Sequence, residues 1–568
     1  MCRNLVDIEN YVDQKMENLD IPSDKYFDFI LYIFQIIFYF EVVYEKNKEF
    51  SRKLVNGLYF LNKYILPHGL IWSGDSVKSI ESMEDIIKTD EQFNDIIKFS
   101  FLCDIIPEVR SKKLFETVSD EFISIKFKDK ETGFHELDDI IISELSQPFS
   151  CPPQKSTKYL SNILSYIEKN SGNINIFDFI SNVFEYKYKK CEENIKQSQI
   201  ITNENYVKAF GFSYDIFKKI QISIIALCQI TVDMAIMNFH YCNKKSIEFT
   251  KSEQYKYAFQ VIDRTFFIGR LSELSNCETE EIESFLQFFE YRDSDDKSPF
   301  LHSHVDFFPP FIATENNITF SPFLVSSFVH PRSFIKILSI TPKYESFFSK
   351  EVSRDYENLM INDMRNSFGR IKKFKVYTNI YYEVGDFSES DGEIDFLCVD
   401  EERKKIFLAE VKGPLPPQGE RQVRRLTTRI NEGISQLDII YNADREKVLK
   451  FISLKTEIQM DKNYEIIFAI ISRSCFGNSD LHEKKYINPY TLSILQLSLG
   501  KMIFQNKDFS LLGSIASDMV CECKIETDAR IEEREFTVNG RILKVERVAY
   551  DYDKLYKYRN RINLCTRT

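Results

Sequence analysis

Two short stretches of this chain set acids and a lysine at spacings that can do chemistry together. They are Gly-Glu-Ile-Asp at 392–395 and Ala-Glu-Val-Lys-Gly at 409–413. The residues between them have strand character, apart from one charged loop, Glu401-Glu402-Arg403-Lys404. With that loop as the turn of a hairpin, Asp400 faces Lys405. Counting back along both strands sets Asp395 opposite Glu410 and Glu393 opposite Lys412. Side chains two apart on a strand share a face, so these four polar residues are expected on one face. Ile394, Phe396, Ala409 and Val411 are expected on the other, turned to a core. Directly opposed residues hold their Cβ atoms about 4.5–5.5 Å apart, and like charges so placed destabilise a sheet. A divalent cation between Asp395 and Glu410 would compensate, and oxygen donors of this hardness suit Mg²⁺ or Mn²⁺. A cation there polarises a phosphodiester and helps generate hydroxide. Lys412 is placed to orient water and to stabilise the charge that develops.

The elements around the hairpin are legible as a series. A helix is expected over 353–364, a strand over 376–382, the hairpin strands over 392–400 and 405–413, a long helix from about 419 to 441, and a strand over 465–472. The order is α–β–β–β–α–β. On the long helix Arg421, Arg424, Arg425 and Arg429 recur at helical spacing and fall on one face. Arginines so arranged can grip a phosphate backbone without reading bases. Further basic candidates are Lys372 and Lys373, in the patch Arg370–Lys375, and the tail 541–568, with eight basic residues against three acidic ones.

This combination resembles the PD-(D/E)XK nuclease superfamily, the restriction-endonuclease-like fold. Asp395 matches the acid of the family's second core strand, and Glu410-Val411-Lys412 matches its (D/E)xK. Ile394 stands where many members carry proline. The resemblance also implies a further metal-site Glu from the preceding helix, matched by Glu357. It implies a Gln on the helix after the third strand, matched by Gln436. In that architecture the arginine-bearing helix lies beside the active-site edge of the sheet. The resemblance covers roughly 345–480, about a quarter of the chain. It implies an Mg²⁺- or Mn²⁺-dependent endonuclease that cleaves DNA, working as a homodimer or larger oligomer, in prokaryotic defence against phage or plasmid DNA. The D…ExK string alone is weak, since Asp295-x-Lys297 and Glu402-x-Lys404 also fit its second half.

The rest of the chain bounds this reading. It has 568 residues, 43% hydrophobic and 28% charged, which is an ordinary globular balance. The net charge of −12 excludes a protein that coats nucleic acid through bulk charge. Twelve cysteines contain no CxxC pair, so a zinc ribbon is excluded and reduced thiols in a cytoplasmic protein are expected. Phe (50) and Tyr (30) are abundant and read as core filling. No basic start with an apolar h-region stands at the N-terminus. Phe29 to Phe40, the most hydrophobic stretch, is shorter than the roughly 20 residues a bilayer span needs and reads as a buried helix. His302, His304 and Asp306 alternate as metal ligands can, but a surface loop explains them as well. No Walker-type loop is present.

The expected fold is α+β multidomain. A large, mostly helical region, 1–270, serves recognition, regulation or oligomerisation, and with it binding of a partner protein or activating ligand. A mixed linking region, 271–344, follows. An α/β nuclease domain with an αβββαβ core occupies 345–480, and a mixed C-terminal extension with a basic tail occupies 481–568. The alternatives are a non-catalytic nucleic-acid-binding module and a sensor or scaffold subunit.

Overall fold

A computed structural model describes the chain apart from residues 1–2, 18–20, 44–53, 56–57, 59, 72–80, 82, 84–101, 103–104, 107–108, 110–113, 119–121, 147–156, 171–175, 182, 195–200, 293–297, 302–307, 315, 330, 414–419, 474, 478, 539 and 566–568. His302, His304, Asp306, Asp295 and Lys297 lie outside the described residues. The fold is mixed α and β, with several sheets among many helices. Two compact units are distinguished. One comprises Met1–Leu5, Ile106–Phe149 and Val352–Thr568; the other comprises Val6–Ile105 and Ser150–Glu351.

The second unit is mostly helical. Its longest helix, Tyr214–Lys245, starts where the Ser213 side chain accepts the Ile216 N–H and ends at Ser246 in the left-handed conformation. A side-chain cap of this kind stabilises a helix by about 1 kcal/mol. Its apolar face meets an aromatic cluster in which Phe210, Phe217, Phe288 and Phe289 surround Phe334. The abundant Phe thus fills the core of this unit. The helical run Ser23–Val43 is longer than the twelve-residue stretch that marks it in the sequence. It and Tyr214–Lys245 are long and apolar enough to cross a membrane by length and composition, and 61% and 72% of the respective windows are buried inside the protein. A small sheet of four strands, Gln260–Asp263, Asn317–Phe320, Phe311–Ala313 and Glu290–Arg292 in spatial order, belongs to the same unit.

The first unit holds the hairpin. Its elements are helix α1 (Ser353–Gly369), strands β1 (Phe374–Tyr382), β2 (Gly392–Asp400) and β3 (Lys405–Lys412), helices α2 (Glu420–Asn442) and α3 (Arg445–Thr456), and strands β4 (Glu465–Ser472) and β5 (Ile487–Thr491). The sheet order is β5-β4-β3-β2-β1. β1, β2 and β3 run antiparallel to their neighbours, whereas β3, β4 and β5 are parallel. Helix α2 makes the crossover that a parallel β3–β4 pair requires. Both sheet faces are covered. Under α1 lie Phe396, Phe407, Ala409, Val411, Ala469 and Ile471, packed with Met360, Met364 and Phe368. Under α2 and α3 lie Ile394, Leu397, Ile406, Leu408 and Ile470, packed with Leu426, Ile430, Leu437 and Ile452. Double coverage explains why β3 and β4 read as nearly continuous apolar runs.

Helices Lys130–Ser146, Leu492–Phe504 and Leu512–Glu526 extend the α1-side core. A second, four-stranded sheet joins Leu114–Val118 and Phe122–Phe127 to the hairpin Arg530–Val538 and Arg541–Ala549. Residues 106–149 and the C-terminal segment thus fold in the same unit as the hairpin. The basic tail lies in this sheet and in helix Tyr552–Cys565. Lys544 pairs with Glu535, Lys554 with Asp528 and Arg561 with Glu526, which neutralises much of its charge.

Candidate active site

The hairpin pairs in the expected register from Asp400 opposite Lys405 up to Phe396 opposite Ala409. There the β2–β3 ladder stops. In place of the next ladder bond, Asp395 Oδ2 accepts the Val411 N–H at 2.7 Å. The carboxylate thus takes over the role of a backbone carbonyl where the strands part company, so its position is set by the main chain of β3.

A second irregularity lies on the other side of β2. The β1–β2 ladder pairs Thr378 with Phe396 and Ile380 with Ile394, and Asn379 between them is left-handed, with φ of 55°. Asn tolerates that region better than most residues. Ile394 packs under α2 and α3, while Phe396 packs under α1. Ile394 therefore does not share a face with Phe396, Ala409 and Val411, as simple alternation requires. The strand changes sides at Asp395, beside a neighbour that is out of the β region.

Strand β3 stays regular. It pairs with β4 through Glu410 opposite Ile470 and Lys412 opposite Ser472. Ile406, Leu408, Glu410 and Lys412 alternate onto the α2 side, so the acid and the lysine continue an apolar row. Glu410 is fully buried and Lys412 is 9% exposed. Lys412 Nζ donates to Glu410 Oε2 at 3.0 Å, while Glu410 Oε1 is buried with no hydrogen-bond partner. An unmet buried carboxylate oxygen costs about 1–3 kcal/mol or more. Burial and then Asp395 push the Glu410 pKa well up, against the pull of Lys412. Burial works against the Lys412 ammonium, yet Glu410, Asp395 and Glu357 together hold its pKa above the usual lysine value.

Helix α2 closes over this pair through Gly433. A Cβ there would lie 2.9 Å from Lys412 Cε and 3.0 Å from Ile470 Cδ1. Gly433→Val is expected to displace Lys412 and to destabilise the unit by about 1–3 kcal/mol, as overpacking does. Thermal unfolding of the full chain checks this, and a midpoint equal to wild type contradicts it.

Helix α1 closes the other side. Its first turn packs on Gly413, where a Cβ would lie 2.9 Å from both Glu357 Cγ and Tyr356 Cδ1. Glu357 Oε1 accepts the Gly413 N–H at 3.2 Å. The structure thus brings Glu357 to the end of β3, bound to the main chain. Among the described residues no group of three or more His, Cys, Asp and Glu side chains is close enough to hold a metal ion. Asp395 and Glu410 are two carboxylates close enough for the charge of one to raise the pKa of the other. Gln436 is half-buried, three residues beyond Gly433 on α2, with no hydrogen bond to these carboxylates.

The basic candidates separate. Arg424, Arg425 and Arg429 are exposed on α2, opposite its buried Leu426, Ile430 and Leu437, and Arg429 pairs with Glu432 at 3.0 Å. The Arg421 side chain lies outside the described residues. Lys373 pairs with Asp400 at 3.6 Å and Lys372 precedes it. Asp400 is five residues from Asp395, or roughly 17 Å along the strand. The structure does not bring Lys372 and Lys373 to the carboxylates.

Three residues near the site have no motif to mark them. Arg473 follows β4 directly and stacks its guanidinium over the Tyr356 ring, 4.3 Å from its centroid. Tyr381 on β1 is the cross-strand partner of Glu393. Arg354, in the first turn of α1, acts electrostatically on both Tyr381 and Glu393. Burial and then Asp395 raise the Glu393 pKa. The only sequence signal for Tyr381 and Arg473 is their place beside the functional strand ends.

The raised Glu410 pKa has a sign that can be measured. In the unfolded chain Glu titrates near about 4.3; in the fold its proton is held to higher pH. A cation takes the ionised form, so it competes with that proton. Affinity for Mn²⁺ is expected to rise with pH, by up to about tenfold per unit, until the proton is gone. Calorimetric titration at two pH values checks this, and a pH-independent affinity contradicts it.

No protein-family model, no curated protein and no solved structure matches this chain.

Proposed function

We propose that the chain is a metal-dependent nuclease that hydrolyses DNA phosphodiester bonds at Asp395, Glu410 and Lys412. The observation that carries this reading is Glu410. It is fully buried, faces Asp395, holds Lys412 on one oxygen and leaves the other unmet. A sheet core has no need of such a group; a cation site has. Mg²⁺ binds through one or two carboxylates and keeps its other positions for water and substrate phosphate, which fits a donor set of two acids. When bound, the cation supplies Lewis acidity toward the phosphoryl oxygens and lowers the pKa of water. Asp395 and Glu410 would hold it. Lys412 remains charged and stands against the reacting centre, where it orients water and offsets charge on the phosphoryl oxygens. The Gly413 N–H, fixed by Glu357, steadies the end of β3. The order helix, three antiparallel strands, helix and parallel strand supports the likeness to the PD-(D/E)XK nucleases.

The exposed arginines of α2 would bind the phosphate backbone. Replacing Arg424 and Arg425 by Ala is expected to weaken DNA binding for all sequences alike. The slope of log affinity against log salt should become shallower by roughly one for each phosphate that an arginine no longer neutralises. An unchanged slope removes these residues from the interface.

The test of the function is nicking of supercoiled DNA by the full chain in Mg²⁺ or Mn²⁺. Wild type should nick it, and Glu410→Ala should not. Equal nicking by both proteins refutes the site.

A further inference from the structure

The α2 side of the sheet, where Glu410 and Lys412 lie, carries a buried hydroxyl that the hydrolytic reading does not use. It belongs to Tyr382, the last residue of the edge strand β1. The left-handed Asn379 turns Ile380 and Tyr382 to the core under α2 and α3. Tyr382 is 2% exposed, and its ring packs on Phe387 at 4.6 Å and edge-on to Phe451 at 6.4 Å. Its cross-strand partner on β2 is Gly392. A Cβ at Gly392 would lie 2.2 Å from the Tyr382 hydroxyl and 2.4 Å from its Cζ. The ring therefore lies across the glycine, and only a residue without a side chain admits it there. Strand β2 stands between β1 and β3. The hydroxyl has thus crossed from the sheet edge to the strand next to Glu410 and Lys412. A buried tyrosine hydroxyl usually finds a hydrogen-bond partner. Among the described residues this one has none, and neither has Glu410 Oε1 on the same face. Burial and then the charge of Glu410 raise the Tyr382 pKa above its ordinary value, so the hydroxyl keeps its proton and is available as a donor.

We propose that the Tyr382 hydroxyl is a further group at the reacting centre, donating a hydrogen bond to a non-bridging oxygen of the phosphate cleaved at Asp395 and Glu410. This rests on reading the site as a nuclease and adds a residue to it. A phosphoryl group in transfer spreads its charge over three equatorial oxygens. The cation and Lys412 would serve two of them, and the third needs a donor. A neutral hydroxyl meets that need without another charge to bury. Its ring is fixed by Phe387, by Phe451 and by the bare backbone of Gly392 before substrate arrives. A donor fixed in advance needs no reorganisation as charge develops. The same arrangement gives Gly392 a role, because its missing side chain is what lets the hydroxyl reach in from the edge strand.

The test is Tyr382→Phe in the full chain, which keeps the ring and removes only the hydroxyl. DNA cleavage in saturating Mn²⁺ is followed with kcat and KM determined separately, beside calorimetric titration of Mn²⁺ and thermal unfolding. The variant should lose about 10- to 100-fold in kcat, the scale of one hydrogen bond to a charged oxygen. KM should stay within about twofold, since the bond acts on charge that develops in the transition state. Mn²⁺ affinity and the unfolding midpoint should match wild type, because the hydroxyl bonds nothing in the fold. The proposal is overturned if kcat falls less than about tenfold. It is overturned equally if kcat falls together with Mn²⁺ affinity or the midpoint, which would make the hydroxyl a support of the fold or of the cation site. Cleavage by wild type and variant alike removes Tyr382 and leaves the nuclease reading standing. Absence of cleavage by wild type removes that reading, and this proposal with it.

Discussion

Lys412→Ala is expected to lower the rate of metal-dependent cleavage by about 10²–10³, the scale set by removing one preorganised charge from a developing anion. The loss should fall on turnover, because the ammonium is buried and, in the proposed hydrolysis, would act on charge that appears in the transition state. Lys412 is tied to Glu410 and covered by Gly433, so water does not replace it. The control is Lys412→Met, which keeps most of the volume beneath α2 and removes only the charge. If both variants lose activity while their unfolding midpoints stay near wild type, the charge is the working part. Activity retained in Lys412→Met would assign Lys412 a packing role.

Asp395 has one observed contact and one proposed role, and two substitutions separate them. Its Oδ2 accepts the Val411 N–H at 2.7 Å, and Val411 is buried. Asp395→Asn keeps an oxygen for that bond but removes the charge that would hold a cation. Its cleavage should fall at least about a hundredfold, with stability changed little. Asp395→Ala leaves a buried N–H without an acceptor as well, which costs about 1–3 kcal/mol. The Ala variant should therefore unfold measurably below the Asn variant, while both are inactive. Equal stability of the two would show that the Val411 bond does not hold the strand ends together.

These effects follow from parts of the site that differ in how plainly the sequence states them. The strands β2, β3 and β4 are legible because their β-branched and aromatic runs are bounded by charged turns. The register is legible because Glu401–Lys404 has no strand character, and Lys404 is indeed left-handed, with φ of 53°. The observed ladder follows that register only from Asp400 opposite Lys405 to Phe396 opposite Ala409, and Glu410 holds Lys412 as its neighbour two residues on along one strand. The side-switch at Asp395 is not legible, since alternation assumes that every residue stays in the β region and Asn379 does not. Helix α3 is hidden for a different reason: Arg445–Thr456 follows α2 after only a short break, so the two periodic patterns run together. The four-stranded sheet is the hardest case. Phe122–Ile125 pairs with Ile542–Val545 across most of the chain, and no local pattern encodes a partner so far away. Glu357, expected from the resemblance at a metal site, accepts the Gly413 N–H at the end of β3, a backbone contact that no motif records.

The measurement that bears most directly on the cation site is calorimetric titration of Mn²⁺ into the full chain, wild type beside Asp395→Asn. Saturable binding is expected in wild type and should be lost in Asp395→Asn. Absence of binding in wild type, or binding unaltered by Asp395→Asn, would contradict a cation held between Asp395 and Glu410, and the hydrolytic reading built on these two acids would fall with it.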